Sequence, residues 1–139
     1  MQLIHRRILI AALVFGLLLL CLYLAWRPSP KLSDLWFIPT EFARWADAQY
    51  NLRTAFPFVG LGFLGALVVG DSWCRLRLLA ILLFAFSILL EVGQLFIPSR
   101  SPNFEDIFFG CAGALIGIGL AAPLLLLRRT PQSKDSPKK

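Results

Sequence analysis

Charge is what this 139-residue sequence has least of: Asp, Glu, Lys and Arg make up 16% of it, against 58% apolar residues. A water-soluble domain carries about 25% charge and roughly 45–50% apolar residues, so the surplus must face something other than water, which argues against a soluble enzyme. Histidine occurs once, as His5 ahead of the first apolar run. With no HxxxH or HExxH pair, that removes a histidine base and an ordinary zinc site, so no metal is implied. The three cysteines, Cys21, Cys74 and Cys111, lie far apart within or beside apolar runs, which excludes a disulfide scaffold and leaves them as small packing residues. No glycine-rich phosphate loop is present, and no cofactor is called for.

What the sequence does have is four apolar runs, and a membrane-crossing helix needs about 20 mostly apolar residues. The predicted spans are about 8–26, 54–71, 76–97 and 106–127. The second is the shortest, because Phe56 to Gly70 reaches full length only by recruiting Thr54 and Ala55 or the Asp71 end. A signal peptide would begin like the first run, with His5-Arg6-Arg7 before apolar residues, but Cys21 to Trp26 has no clear small-x-small cleavage pattern. The run is therefore read as a retained first span. The expected fold is all-α and polytopic: one four-span membrane domain over residues 1–127, followed by a disordered basic tail, 128–139, with nothing apolar to bury.

Orientation follows from Lys and Arg. With the N-terminus inside, nine basic residues fall on the cytoplasmic side (Arg6, Arg7, Arg75, Arg77, Arg128, Arg129, Lys134, Lys138, Lys139) and five outside (Arg27, Lys31, Arg44, Arg53, Arg100). Both termini are predicted cytoplasmic. No compact basic fold accompanies the tail, so its expected partner is anionic lipid and not nucleic acid.

The long outer connection, Arg27 to Arg53, is not simply polar. Leu35, Ile38, Phe42, Trp45 and Ala46 recur at three- and four-residue spacings with Trp36 and Tyr50 nearby, an apolar stripe suited to the headgroup region. Pro39 interrupts it. A short helix or turn is expected before Pro39, then an interfacial helix from about Glu41 to Tyr50 capped by Thr40. It is either a connector resting on the membrane or a lid over an outward-facing site. In the spans, Gly60, Gly62, Gly65 and Gly70 mark the second, and Gly110, Gly113, Ala114 and Gly117 give the fourth a small-residue strip that another helix can approach closely.

The segment from Glu91 to Asp106, EVGQLFIPSRSPNFED, is chemically unusual. Glu91 and Gln94 share a helix face within the third span, and Glu91 is expected about 10 Å below a helix end at Pro98. An acid inside a span needs a partner or a water-filled cavity. Arg100 is the nearest basic candidate, if the loop folds back, and Asp106 offers a second carboxylate from the start of the fourth span. Asn103 is the expected cap there, with Glu105 and Asp106 in the first turn; Ser101-Pro102 is an alternative start.

Glu91-x-x-Gln94, Pro98-x-Arg100, Asp106 six residues on, then Gly113 and Gly117 together resemble the signature of the VanZ-like family of small bacterial membrane proteins. The resemblance implies a bacterial inner-membrane protein of the class that includes a teicoplanin-resistance factor, most of whose members have no established biochemical activity. Two positions depart from the family pattern: Gly110 stands where an Asn usually follows the Asp by four, and Ala55 where a His falls in the segment opening the second span. Chemistry dependent on that His or Asn is lost in this chain.

Three functions fit the residues. The cluster of Glu91, Gln94, Arg100 and Asp106 binds or shields a polar headgroup, such as that of a phosphorylated envelope precursor, through the planar donor fork of Arg and the dual hydrogen bonding of Gln. Alternatively it is structural, locking the loop and the fourth helix in an assembly protein that can self-associate. As an enzyme on a lipid-linked phosphate or ester, it would use Glu91 or Asp106 as base and Arg100 against oxyanion charge; no established catalytic residue is present, and the noncatalytic roles are favoured. Transport is less attractive, because four spans rarely enclose a path and no relay partner for Glu91 is visible.

Overall fold

The computed structural model describes residues 2–127, so the expectation of a disordered tail at 128–139 lies outside the described residues. Five α-helices follow in order: α1 (Gln2–Trp26), α2 (Thr40–Ala48), α3 (Tyr50–Val69), α4 (Trp73–Gln94) and α5 (Phe104–Leu127), with one 3₁₀ turn at Leu32–Asp34 and, among the described residues, no strand. Four of them, α1, α3, α4 and α5, are long and apolar enough to cross a membrane. The chain is an all-α, polytopic membrane protein.

The helix ends have local causes. Pro28 and Pro30 follow α1 and prevent its continuation. Gly70 closes α3 at φ +80°, a conformation open to glycine, and only three residues separate α3 from α4, which makes them antiparallel neighbours. The third span stops earlier than expected: Leu95, Phe96 and Ile97 leave the helix through N–H bonds to the carbonyls three residues back, at 3.0–3.2 Å. Pro98 forces this, since the residue before a proline is pushed out of the α region. Glu91 therefore lies in the last turn of α4, about 4.5 Å from its end and not 10 Å. The second span starts earlier than expected, at Tyr50, and so draws Arg53 into α3 and moves Thr54 from its expected first residue to its second turn. Pro57 then sits inside that helix and cannot donate to the Arg53 carbonyl.

Around α3 the bundle assembles. It packs on α1, α2, α4 and α5, most extensively on α5, whereas the backbones of α1 and α5 do not approach closely among the described residues. Small residues set the α3–α5 approach: a Cβ on Gly113 would stand 2.4 Å from the Ala55 carbonyl oxygen, one on Gly117 2.1 Å from that of Val59, and one on Gly62 2.2 Å from that of Ala114. Lipid tails are as apolar as Leu, so close van der Waals contact of this kind, not water exclusion, holds the helices together. Phe58 and Leu61 are the largest fully buried side chains of the core.

The segment between α1 and α3 folds as one unit. Asp47 accepts the backbone N–H groups of Leu32 (2.8 Å) and Ser33 (3.1 Å), and Arg53 bridges the Asp47 carboxylate (3.2 Å) and the Pro30 carbonyl (2.7 Å). Burial pushes the Asp47 carboxyl up, but the N–H groups of Leu32 and Ser33, the Ser33 hydroxyl and Arg53 outweigh this and hold it below the ordinary Asp value. Arg27 reaches Asp34 at 3.7 Å, and the Ser29 hydroxyl donates to the same carboxylate. Thr40 does not cap α2: Pro39 precedes the helix as its cap residue and Thr40 is its first residue, with no side-chain cap bond. The apolar stripe also splits. Ala43 and Ala46 are buried in one cluster with Leu32 and Leu35, while Phe42, Trp45 and Trp36 are exposed.

Candidate functional site

One end of the bundle gathers the ends of α1 and α4 and the beginnings of α3 and α5. Four polar side chains are almost fully enclosed there or just below: Ser87 (3% exposed), Gln94 (5%), Asp106 (5%) and Glu91 (6%). Three of them, Glu91, Gln94 and Asp106, line one cavity of about 90 Å³ together with Arg53, Thr54 and Arg100. Cys21, Phe58 and Leu90 supply apolar wall, and Leu32 brings the outer segment over it. Sites for drug-sized ligands run to about 300–1,000 Å³, so this space suits a compact polar group and no more.

Each polar group is positioned from a different element. Glu91 accepts the Asn103 backbone N–H at 2.8 Å. Asn103 in turn begins α5: its side-chain oxygen accepts the Glu105 N–H at 3.1 Å, and its carbonyl the Asp106 N–H at 3.0 Å. That turn aims Asp106 inward, where its carboxylate accepts the Thr54 hydroxyl at 3.1 Å. Glu105 stays at the surface. The Arg100 guanidinium reaches across to α1 and donates to the carbonyls of Leu24 (2.9 Å) and Arg27 (3.2 Å). These belong to the helix end, where carbonyls lack intrahelical donors and a cation is favoured by the dipole. Ser99 adds a bond to the Pro28 carbonyl at 2.7 Å. The α4–α5 loop is thus fastened to the end of α1.

Glu91 and Arg100 face the same cavity and lie within electrostatic reach, but no N···O contact within 4 Å joins them among the described residues. Gln94 is different in kind. Its amide makes no hydrogen bond to another described residue. No fully enclosed side-chain N or O lacks a partner, so the open side of this amide is the cavity. A group that can donate and accept, nine-tenths buried and lining this cavity, can bind a polar occupant there. With two arginines and two carboxylates around it, the space can offer both cationic and anionic contacts to that occupant.

Arg53 and Thr54 were not among the sequence candidates. Arg53 counted there only as an outer-side charge and Thr54 as a residue extending a short span. A helix start at Tyr50 was the missing signal, because it puts both in the first turns of α3. Among the described residues no group of three or more His, Cys, Asp or Glu is arranged to hold a metal ion.

A family model described as VanZ/LLP1 matches residues 8–127, which covers all of the four spans but the start of the first, and every cavity-lining residue. The chain belongs to the VanZ/LLP1 family. No curated protein and no solved structure matches it. In this VanZ/LLP1 chain, Gly110 is packed closely: a Cβ there would meet the Ser87 hydroxyl at 2.7 Å and the Phe58 ring at 3.4 Å. A side chain as large as Asn at position 110 would have to displace both, which ties the glycine to the buried Ser87.

Proposed function

We propose that this protein binds the polar headgroup of a membrane lipid or lipid-linked envelope precursor, without transforming it, in the cavity between α1, α3, α4 and α5. The observation that carries this is the Gln94 amide, buried and unpartnered among the described residues, in a cavity that also holds Arg53 and Arg100. Arginine suits phosphate oxygens, and the Glu91 and Asp106 carboxylates suit hydroxyl or ammonium donors on the same headgroup. The excess of Lys and Arg on the opposite ends of the spans supports both termini in the cytoplasm of a bacterial inner membrane, which turns the cavity outward.

The test is binding by the purified protein in nanodiscs, read by native mass spectrometry, of phosphatidic acid against diacylglycerol of the same chains. Preference for the phosphorylated lipid, weakened by Gln94→Leu at unchanged thermal stability, is expected. Equal retention of both lipids refutes the proposal.

A structural role is the second reading, favoured by the bonds from Arg100 to α1, Thr54 to Asp106 and Asn103 to Glu91, each of which joins two elements. It expects Gln94→Leu to change stability and lipid preference together.

A further inference from the structure

The headgroup cavity is small, and Glu91 is a wall of two spaces. On its other side lies an apolar groove of about 310 Å³ between α4 and α5, lined by Ile88, Val92, Leu95, Phe104 and Ile107 with Glu91 and Asn103. Ile88, Val92, Phe104 and Ile107 belong to spans and Leu95 follows the end of α4, and several of these residues are open: Val92 is 45% exposed, Leu95 64% and Phe104 89%. The groove is therefore open on the outside of the bundle, at the end of α4 and the start of α5. The Asn103 N–H to Glu91 bond stands between the groove and the polar cavity.

We infer that the α4–α5 groove holds the hydrocarbon tail of the same amphiphile whose head occupies the cavity, and that the head passes from the membrane beside Glu91. The inference rests on the headgroup reading and specifies its ligand: a phosphorylated lipid with an intact tail, taken laterally from the bilayer. Volume requires the division, since a cavity of about 90 Å³ holds a compact head only and leaves the rest of the molecule outside. Position selects the route, because the groove and the cavity share Glu91, whereas the larger apolar groove at the opposite end of α4 and α5, lined by Trp73, Leu76, Leu115 and Ile118, shares no residue with the cavity. Lipid tails gain little by leaving one apolar medium for another, so the groove supplies path and placement and the head supplies preference.

The experiment uses the full chain in nanodiscs with phosphatidic acid carrying a diazirine in its acyl chain, and maps the photolabelled residues. Labelling concentrated at Val92, Leu95, Phe104 and Ile107 over Leu76, Leu115 and Ile118 is expected. Val92→Trp, which fills an exposed position and leaves the cavity residues in place, is expected to lower that labelling about tenfold, the scale of a steric clash worth about 1.4 kcal/mol. It leaves binding of glycerol 3-phosphate, the tail-less head, unchanged. Preferential phosphatidic acid binding with even labelling of all lipid-facing positions overturns the groove and spares the headgroup reading. No preference over diacylglycerol removes the headgroup reading, and with it this inference. Crosslinks from these residues to a second copy of the chain would make the groove a subunit contact and also overturn it.

Discussion

Gly117 and Gly119 offer the same substitution on two sides of one helix. At Gly117 a methyl group would stand 2.1 Å from the Val59 carbonyl oxygen and 2.7 Å from the Phe63 nitrogen, whereas at Gly119 nothing lies within 4 Å. Both obstacles at Gly117 are backbone of α3, so no rotamer change relieves them. To reach 3.4 Å, where such contacts become ordinary, the carbonyl must retreat by about 1.3 Å, and the helix axis moves with it. Overpacking of this kind costs about 1–3 kcal/mol, and a gap of 0.5–1 Å elsewhere along the contact forfeits a quarter to a half of each dispersion well. Because α3–α5 is the most extensive contact and no water exclusion supports it, Gly117→Ala is expected at the upper end, about 3 kcal/mol. Gly119→Ala is expected to be neutral or to stabilise by up to about 1 kcal/mol, since alanine is the better helix former. Unfolding of both variants, measured by steric trapping in bicelles, checks the difference. Equal stability of the two would refute the close approach of α3 and α5 and the bundle built on it.

Four further outcomes follow from the same geometry. Glu91→Ala leaves the Asn103 N–H without its acceptor and should cost about 1–3 kcal/mol, while Glu91→Gln keeps an oxygen there and should stay near wild type; thermal denaturation separates them. Asp47 has a depressed folded-state pKa, so its contribution is fully present above the unfolded value of about 3.9 and is lost as pH falls through the lower folded value. Hydrogen exchange at the Leu32 and Ser33 amides, taken relative to the intrinsic rate at each pH, should therefore stay protected down to about pH 4 and lose protection below it, and Asp47→Ala should remove that protection at neutral pH. Gly93→Ala would put a methyl 2.1 Å from the Trp26 indole nitrogen and should break its 3.3 Å bond to the Leu90 carbonyl; a shift in tryptophan emission toward that of a lipid-exposed indole reports it, and an unchanged spectrum contradicts the placement. Arg100→Gln withdraws the cation from the end of α1 and should raise hydrogen exchange at residues 24–30 while leaving the α3–α5 core protected.

Some of this organisation is legible residue by residue and some is not. The four spans, and the inward-pointing acid of the third, follow from apolar length and from one Glu set in an apolar run. The end of α4 does not, because Leu95-Phe96-Ile97 is as apolar as the helix before it and only the turn imposed by Pro98 removes it from the span. Thr40 and Pro39 exchange roles at the start of α2 for a similar reason: cap preferences rank residues, but the path of the incoming chain decides which one takes the non-helical position. Arg53 and Thr54 escaped notice because they belong to the least hydrophobic start of the shortest span.

By itself the sequence determined that the chain crosses the membrane four times, which residues are chemically exceptional, and which strips are small enough for close helix contact. Those are properties of length, composition and period along one helix. The tertiary structure alone decided that α3 is central, that Arg100 ends up on the carbonyls of α1, and that Arg53, Thr54, Glu91, Gln94 and Asp106 surround one cavity. The reason is physical: helices as uniformly apolar as these carry little amphipathic signal to set their rotation, so their facing surfaces are chosen by backbone contact at Gly62, Gly113 and Gly117, and the scarce charged residues are brought together by that contact.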